Sequence, residues 1–376
     1  MTLNKPTRRP GRPPLLAPAP TLLGLLIASG GASPLQAQFE FGSEADGFAI
    51  TLDPLIQGRY AIERGDEGTT TEFDFRRAWL DTTGTLFHSD LSFRLQPDFS
   101  SGELSMRDVW LQYALTESLD LRAGQFTVPF GLPRDIGGPN RLFTELSIAG
   151  NQFEVPAGRD TGVTLLGGDG DDRAWAIGVF DGRGRLDQRD DRPSTSGHLF
   201  SARAAWAPIG AVPRDNTTLG QAVERTVALG TGVQAANRNH LRDWSRGLAD
   251  TVANQRADWV TTTADTVVKF GHTSLSLAAF RRDVSPDRTA SYHDLGAELE
   301  LAQSLPMEGL EFAARHAVLR HDAGDDLGTD ERWQREWGAG LNLYHRGQRH
   351  KTQLMWLDRD TDTSDWELHL QHQFRF

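Results

Sequence analysis

Apolar and polar residues alternate along much of this chain in short runs. The clearest run is the last one, 366–376, where the alternation is almost unbroken and the chain ends on Phe376. A period of two places the side chains of a strand on two opposite faces, one apolar and one polar. A half-buried strand of a soluble sheet gives the same pattern, so the alternation alone does not distinguish a soluble sheet from a membrane sheet.

Sixteen runs of this kind occur, separated by clusters of Gly, Asp, Pro and Ser. An even number of strands lets both ends of a closed antiparallel barrel lie on one side, and a barrel of this size encloses an aqueous channel. The sequence therefore predicts an all-β, transmembrane antiparallel barrel of about 16 strands. The predicted strands are 47–63, 70–87, 91–99, 104–115, 119–127, 159–167, 173–181, 197–208, 222–236, 256–270, 273–283, 291–302, 310–320, 332–345, 350–358 and 365–376.

The predicted connections alternate between long and short. If the chain enters the barrel from the periplasm, every long connection but one faces outward, and tight turns such as Gly271-His272 lie between them. The connection 209–221 is the exception, because it is long on the side of the tight turns. Long loops at one end and short turns at the other are typical of outer-membrane barrels. The long outward connections are 128–158, 182–196, 237–255 and 321–331.

Residues 1–37 have the features of a secretory signal peptide. Four basic residues precede the apolar run 21–29, and small residues follow it up to Ala37. The apolar run is too short to cross a bilayer as a helix, which takes about twenty residues. A Pro-rich tail without export function is the alternative. The prediction is export through the periplasm, leaving residues 38–376 as the barrel.

Composition narrows the possible partners. Cleavage after residue 37 would remove four basic residues and no acids, which moves the net charge from −12 to −16 and argues against nucleic acid. The chain has no cysteine, so disulfides and thiolate metal sites are excluded. A mean hydropathy of −0.46 is compatible with a barrel, because only alternate residues in its membrane band are apolar.

The sequence shows no catalytic grouping. Eleven histidines are scattered without the spacing of a ligand pair on one element, and no Ser/His/Asp set stands out. We therefore predict no catalytic, cofactor or metal site, and no enzyme activity. Acidic runs at 322–326 and 358–365 are typical of solvated outer loops, with Ca²⁺ or lipopolysaccharide bridging as a second interpretation.

Three segments carry a resemblance to a known family. Residues 75–87, 107–113 and 121–131 resemble the phosphate-selective porin O/P family, and the most specific piece is Gly124-Gln-Phe-Thr-Val-Pro-Phe130. The similarity is strongest over 70–165 and weaker toward the carboxy terminus. It implies a usually trimeric, sixteen-stranded barrel in the Gram-negative outer membrane, in contact with lipid and lipopolysaccharide. In such a barrel the third outer loop, here 128–158, folds into the pore and narrows it.

The resemblance also directs attention to the arginines. Phosphate-selecting members use arginines along the lumen wall and a lysine cluster at the narrow zone, and fixed positive charge lowers the barrier for anions. After residue 37 only Lys269 and Lys351 remain, both far from 128–158 in sequence, so that cluster is missing. The candidate anion path is Arg77, Arg94, Arg122 and Arg203 on the polar faces of strands, with Arg134 and Arg141 on 128–158.

These observations predict a porin for passive diffusion of small hydrophilic solutes or ions. Acidic residues share the faces that carry the arginines, so the sequence leaves a preference for anions or phosphate open. A non-conducting structural or adhesive barrel is the alternative, because it would show the same strand pattern.

Overall fold

The computed structural model describes residues 39–43, 47–65, 68–153, 158–169, 171–185, 197–240, 256–322, 333–360 and 364–376. These residues form seventeen strands and three short helices. The strands are β1 (Phe39–Ser43), β2 (Phe48–Gly65), β3 (Gly68–Leu86), β4 (His88–Asp98), β5 (Ser105–Thr116), β6 (Leu119–Thr127), β7 (Arg159–Asp169), β8 (Arg173–Phe180), β9 (Leu199–Ile209), β10 (Val223–His240), β11 (Arg256–Gly271), β12 (Thr273–Pro286), β13 (Tyr292–Ser304), β14 (Leu310–Asp322), β15 (Trp333–Arg346), β16 (His350–Asp360) and β17 (Ser364–Arg375).

Strands β2–β17 form a closed antiparallel ring of sixteen. Each pairs with its neighbour in sequence, and β17 pairs with β2 from Trp366 opposite Arg64 to Arg375 opposite Leu55. The predicted all-β barrel of sixteen strands is thereby confirmed. The sequence did not predict β1, which pairs with the beginning of β2, beyond the part that β17 covers.

The two faces of each strand differ as the alternation predicts. In β12, Leu275 and Leu277 are exposed, while Ser274, Ser276 and Ala278 between and beside them are buried. Buried polar side chains such as Gln57 and Gln353 lie inside the ring, and exposed leucine, valine and aromatic side chains cover much of its outside. An apolar outer band is what a strand that faces hydrocarbon requires.

The connections have the predicted inequality of length. Leu86 and His88 flank a one-residue turn at Phe87, whose φ of 65° is left-handed. The described part of 128–158 contains α1 (Leu132–Asp135), a 3-10 helix (Gly138–Asn140) and α2 (Ile148–Gln152), which the strand pattern did not predict. Among the described residues no helix is long and apolar enough to cross a membrane. Residues 1–37 and most of the acidic run 322–326 lie outside the described residues.

Two neighbouring alanines of β9 give a matched test of the barrel's two faces. Ala204 is exposed on the outer face, whereas Ala205 lines the inner cavity. We expect Ala204→Arg to lower the free energy of unfolding by about 2–4 kcal/mol, because it places a charge in the apolar band. Ala205→Arg should change that energy far less. Urea unfolding in lipid vesicles, followed by tryptophan fluorescence, measures both, and equal losses would contradict the assignment of faces.

Candidate functional site

A cavity of about 1120 Å³ lies on the inner side of the barrel. Side chains from β2–β9, β16 and β17 form one wall, and the segment 129–151 forms the other. Among the described residues this lining carries thirteen arginines and seven carboxylates, an excess of six positive charges. The arginines are Arg59, Arg76, Arg77, Arg94, Arg107, Arg122, Arg134, Arg141, Arg159, Arg185, Arg203, Arg359 and Arg375.

Apolar packing holds the segment 128–153 against β11–β16. Phe153 stacks on Phe280 of β12 with ring centroids 5.2 Å apart, and Phe130 joins the same buried cluster. Farther along the segment, Leu142 and Phe143 are buried in a cluster with side chains of β13, β14 and β16. Aromatic pairs of this kind add to the energy of area burial. The cavity consequently lies toward the other strands of the ring, chiefly β2–β9.

Glu145 ties the same segment to β2 and β3. Its carboxylate accepts hydrogen bonds from Arg76, at 2.7 Å to the Nη2 donor, and from Arg59 at 3.1 Å. Burial disfavours the charged carboxylate, but the hydrogen bond and charge of Arg76, with the charges of Arg77 and Arg59, outweigh it and lower the pKa of Glu145 to about 2. Glu145 is therefore anionic at neutral pH, and one carboxylate offsets part of a cluster of three arginines.

Asp135 makes a second ionic contact between this segment and the wall. Arg203 of β9 donates to Asp135 at 2.9 Å and to both carboxylate oxygens of Asp265 on β11, at 2.5 and 2.9 Å. The backbone N–H of Leu132 donates to Asp265 at 3.4 Å. Burial raises the pKa of Asp135, although the Arg203 guanidinium opposes this effect. Arg203 is thus a structural cation with two acidic partners.

The long connection between β9 and β10, which the sequence placed at 209–221 and the structure places at 210–222, also contacts the segment 128–153. Asn216 accepts a hydrogen bond from the backbone N–H of Leu142 at 3.2 Å, and Thr218 donates through its N–H and hydroxyl groups to Glu311 of β14, at 2.5 and 2.7 Å. Asn216 and Thr218 are buried. The connection 210–222, which starts from the end of the barrel with the tight turns, therefore contacts the segment 128–153, which starts from the opposite end.

All six arginines of the candidate anion path line the cavity, and their partners differ. Arg94 is held by Asp81, at 2.5 and 2.6 Å, and lies 3.3 Å from Asp108. Arg77 and Arg122 donate instead to neutral amide oxygens, Arg77 to Gln57 at 2.6 Å and Arg122 to Gln112 at 2.6 and 2.9 Å. Arg134 and Arg141 lie on the wall formed by 129–151. An arginine with a neutral partner keeps more of its field in the cavity than one paired with a carboxylate.

Sequence reasoning missed seven of the thirteen arginines, and two β-bulges explain part of this. In the pairing of β2 with β3, Gln57 and Gly58 are opposite Arg77 and Phe75, so Arg76 is an extra residue of β3 without a partner in the register. Arg107 is left out of the register between β4 and β5 in the same way. A bulge interrupts the period of two. Arg76 and Arg77 therefore both line the cavity, as do Arg107 and Asp108, although neighbours in a regular strand face opposite sides.

Lys351 and Lys269 contact connecting segments that lie far from them in the sequence, and Lys351 contacts the segment 128–153 itself. Lys351 of β16 is fully buried and donates to the backbone oxygen of Arg141 at 3.1 Å. Lys269 of β11 pairs with Asp215 of the connection 210–222 at 2.7 Å. Both lysines thus support a connecting segment, and neither lines the described cavity.

Comparison with solved structures identifies the class of this barrel. The anion-selective porin from Comamonas acidovorans has a TM-score of 0.62 at 14% identity, covering 88% of this chain and 100% of that one. An OmpT variant of Vibrio cholerae that lacks loop L8 has a TM-score of 0.62 at 10% identity, and the match covers 88% of this chain and 100% of that one. The outer membrane channel DcaP of Acinetobacter baumannii has a TM-score of 0.59 at 12% identity, and the match covers 89% of this chain and 99% of that one. At such identities the likeness concerns the fold, which is that of an outer-membrane porin.

The family follows from the sequence model for phosphate-selective porin O and P, which matches residues 56–284. This chain belongs to that family. No curated protein sequence matches the chain. Family and fold together make the protein a passive channel of the Gram-negative outer membrane.

The ion pairs of Glu145 predict a pH dependence of stability. Because its pKa in the folded protein, about 2, lies below the ordinary 4.5, the stabilisation is complete above about pH 4.5 and is lost as the pH falls toward 2. We expect Glu145→Gln to cost on the order of 3 kcal/mol at pH 7, and progressively less between pH 4.5 and 2. The thermal unfolding midpoint in detergent, measured across this range, tests it.

Glu117→Gln in the exposed turn between β5 and β6 is the matched control for that experiment. The same chemical change there should leave the midpoint close to that of the unsubstituted chain at every pH. A loss for Glu145→Gln that did not vary with pH would contradict the ionic role of this carboxylate.

Proposed function

We propose that this porin prefers small anions, with phosphate among them. The observation that carries the proposal is the excess of six positive charges on the cavity lining. In a confined passage with low-dielectric walls, fixed positive charge lowers the energy of a partly dehydrated anion. The porin from Comamonas acidovorans is described as anion-selective, which supports the proposal by analogy of fold.

Arg77 and Arg122 are the residues on which we expect anions to depend most. Their partners are neutral amides, and the guanidinium of Arg122 lies 4.3 Å from the ring centroid of Trp110. Stacking on an indole holds a guanidinium in place without neutralising it. The planar group can then present two parallel donors to the oxygens of phosphate or a carboxylate.

We further propose that 128–158 narrows the pore. Glu145 and Asp135 connect this segment to β3 and β9, and its apolar side packs on β12 and neighbouring strands, so it has partners on well-separated parts of the ring. Asn216 gives it a further contact from the connection 210–222. In this arrangement solutes pass along the arginine-bearing wall of β2–β9.

Three further properties belong to the proposal. Residues 1–37 direct export, the assembled form is a homotrimer, and lipopolysaccharide contacts the outer rim of the barrel. The charge pattern of residues 1–37 and the family membership support the first two. The molecular mass of the mature, detergent-solubilised protein tests the trimer, and its amino-terminal residue tests the cleavage near Ala37.

Conductance in planar bilayers tests the anion preference. In a KCl gradient we expect a reversal potential whose sign shows that chloride is more permeant than potassium. Arg122→Ala should reduce the anion-to-cation permeability ratio. A unit charge about 6 Å from the ion contributes about 0.7 kcal/mol in water, which is roughly threefold in that ratio. Arg94→Ala should reduce it as well, because Asp81 and Asp108 then lose a cationic partner.

Arg281→Ala provides the control for both variants. Arg281 is on the outer face of β12, paired with Asp283 at 2.7 Å, so the same charge is removed away from the cavity. The permeability ratio should stay unchanged there. If Arg94→Ala and Arg122→Ala also leave it unchanged, the arginine path is wrong. A correctly folded barrel that never opens would instead favour the structural or adhesive alternative.

Phosphate block provides an independent measurement. Added phosphate should reduce the chloride current of the unsubstituted channel, and Arg77→Ala should weaken that block because one guanidinium on the path is lost. Block of equal strength in both channels would exclude Arg77 from the phosphate path.

A further inference from the structure

Three histidine side chains meet at one end of the barrel, on its outer face. His345, His350 and His372 come from β15, β16 and β17, and a ring nitrogen from each lies within 4.8 Å of the others. The Nε2 atoms of His350 and His372 are 3.0 Å apart. The sequence placed these residues 5 and 22 positions apart on different strands, so their spacing gave no sign of a shared site.

Strand register explains why the three rings converge. Thr352 of β16 is directly opposite His372 of β17, and Arg346 of β15 is opposite His350 across a tight turn. The neighbouring Lys351 is buried on the inner side, so His350 and Thr352 lie on the outer side.

The surroundings favour a ligand set over isolated rings. Thr352 Oγ1 is 2.8 Å from Nδ1 of His372 and 2.9 Å from Nε2 of His345, so one hydroxyl orients two imidazoles. Phe374 stacks on His350 with ring centroids 4.5 Å apart, and Leu354 beside them is exposed on the same face. Polar rings on an otherwise apolar face need partners for their nitrogens.

We propose that these three histidines bind a divalent transition metal of the Zn²⁺ class. Neutral imidazole is a preferred ligand of Zn²⁺, Cu²⁺ and Ni²⁺, and three histidines with one open position form a common zinc geometry. Zn–N bonds of about 2.0–2.1 Å in a tetrahedron place ligand nitrogens roughly 3.3 Å apart. The closest pair here, His350 and His372, therefore needs to open by only a few tenths of an ångström.

The metal would link the last three strands of the ring. β17 is the closing strand, since it pairs with β16 on one side and with β2 on the other. A ligand that binds only the folded state stabilises it in proportion to its concentration over its dissociation constant. Zinc bound at His345, His350 and His372 would therefore oppose separation of the closing strand, independently of what the channel conducts.

Isothermal titration calorimetry of the full chain tests this site. The protein is refolded in detergent without a polyhistidine tag, freed of metal with EDTA, and titrated with ZnCl₂. We expect saturable binding of one ion per chain, a loss of affinity of about tenfold or more in His372→Ala, and about tenfold in Thr352→Val, which removes the orienting hydroxyl. Zinc should also raise the unfolding midpoint of the unsubstituted chain, and at the same concentration it should raise that of His372→Ala less.

His316→Ala is the matched control. His316 of β14 stacks on Trp337 with ring centroids 3.9 Å apart, outside the three-histidine cluster, and its loss should leave zinc binding unchanged. If His372→Ala does not fold, His345→Gln replaces it, with the same expectation. Absence of saturable binding, or equal binding by the unsubstituted chain and the folded cluster variant, would overturn the proposal and leave the histidines as a hydrogen-bonded cluster.

Discussion

Backbone hydrogen bonding in an apolar medium is the constraint on which the rest of this structure depends. Hydrocarbon offers no partner for a free N–H or C=O group, so an open sheet edge is too costly and the strands must close into a ring. The pairing of β17 with β2 closes it, and the N–H of Phe376 donates to the carbonyl of Pro54 where that pairing ends. Beyond that point β1 covers the remaining edge of β2.

Closure divides side chains into two environments, and the inner one accounts for the charge pattern. Arginines removed from bulk water need acceptors, and here they find carboxylates, as Arg203 does with Asp135 and Asp265, or amides, as Arg77 does with Gln57. Carboxylate pairs fix the geometry and cancel charge, whereas amide partners fix the geometry alone. The balance between these two kinds of partner leaves the lining positive even though the whole chain is acidic, with a net charge of −12.

The segment 128–153 contacts well-separated parts of the barrel wall. Its aromatic residues pack against Phe280 and neighbouring side chains, and its acidic residues reach the arginines across the cavity. Apolar packing is strong but not directional, while the ion pairs are directional, so together they fix the position of the segment against the wall. The connection 210–222, through Asn216, adds a hydrogen-bonded support that the rule of short turns would not suggest.

The sequence by itself determined the sixteen strands of the ring, the inequality of the connections and the family. These features are local, because a period of two follows from the geometry of a single strand, and turn residues mark its ends. Tertiary structure alone decided which arginines share one cavity, since the bulges at Arg76 and Arg107 break the period. It also decided that Lys351 supports a loop residue 210 positions away and that three distant histidines meet. Both depend on the register between strands and on loop packing, which are set by long-range contacts that no single segment encodes.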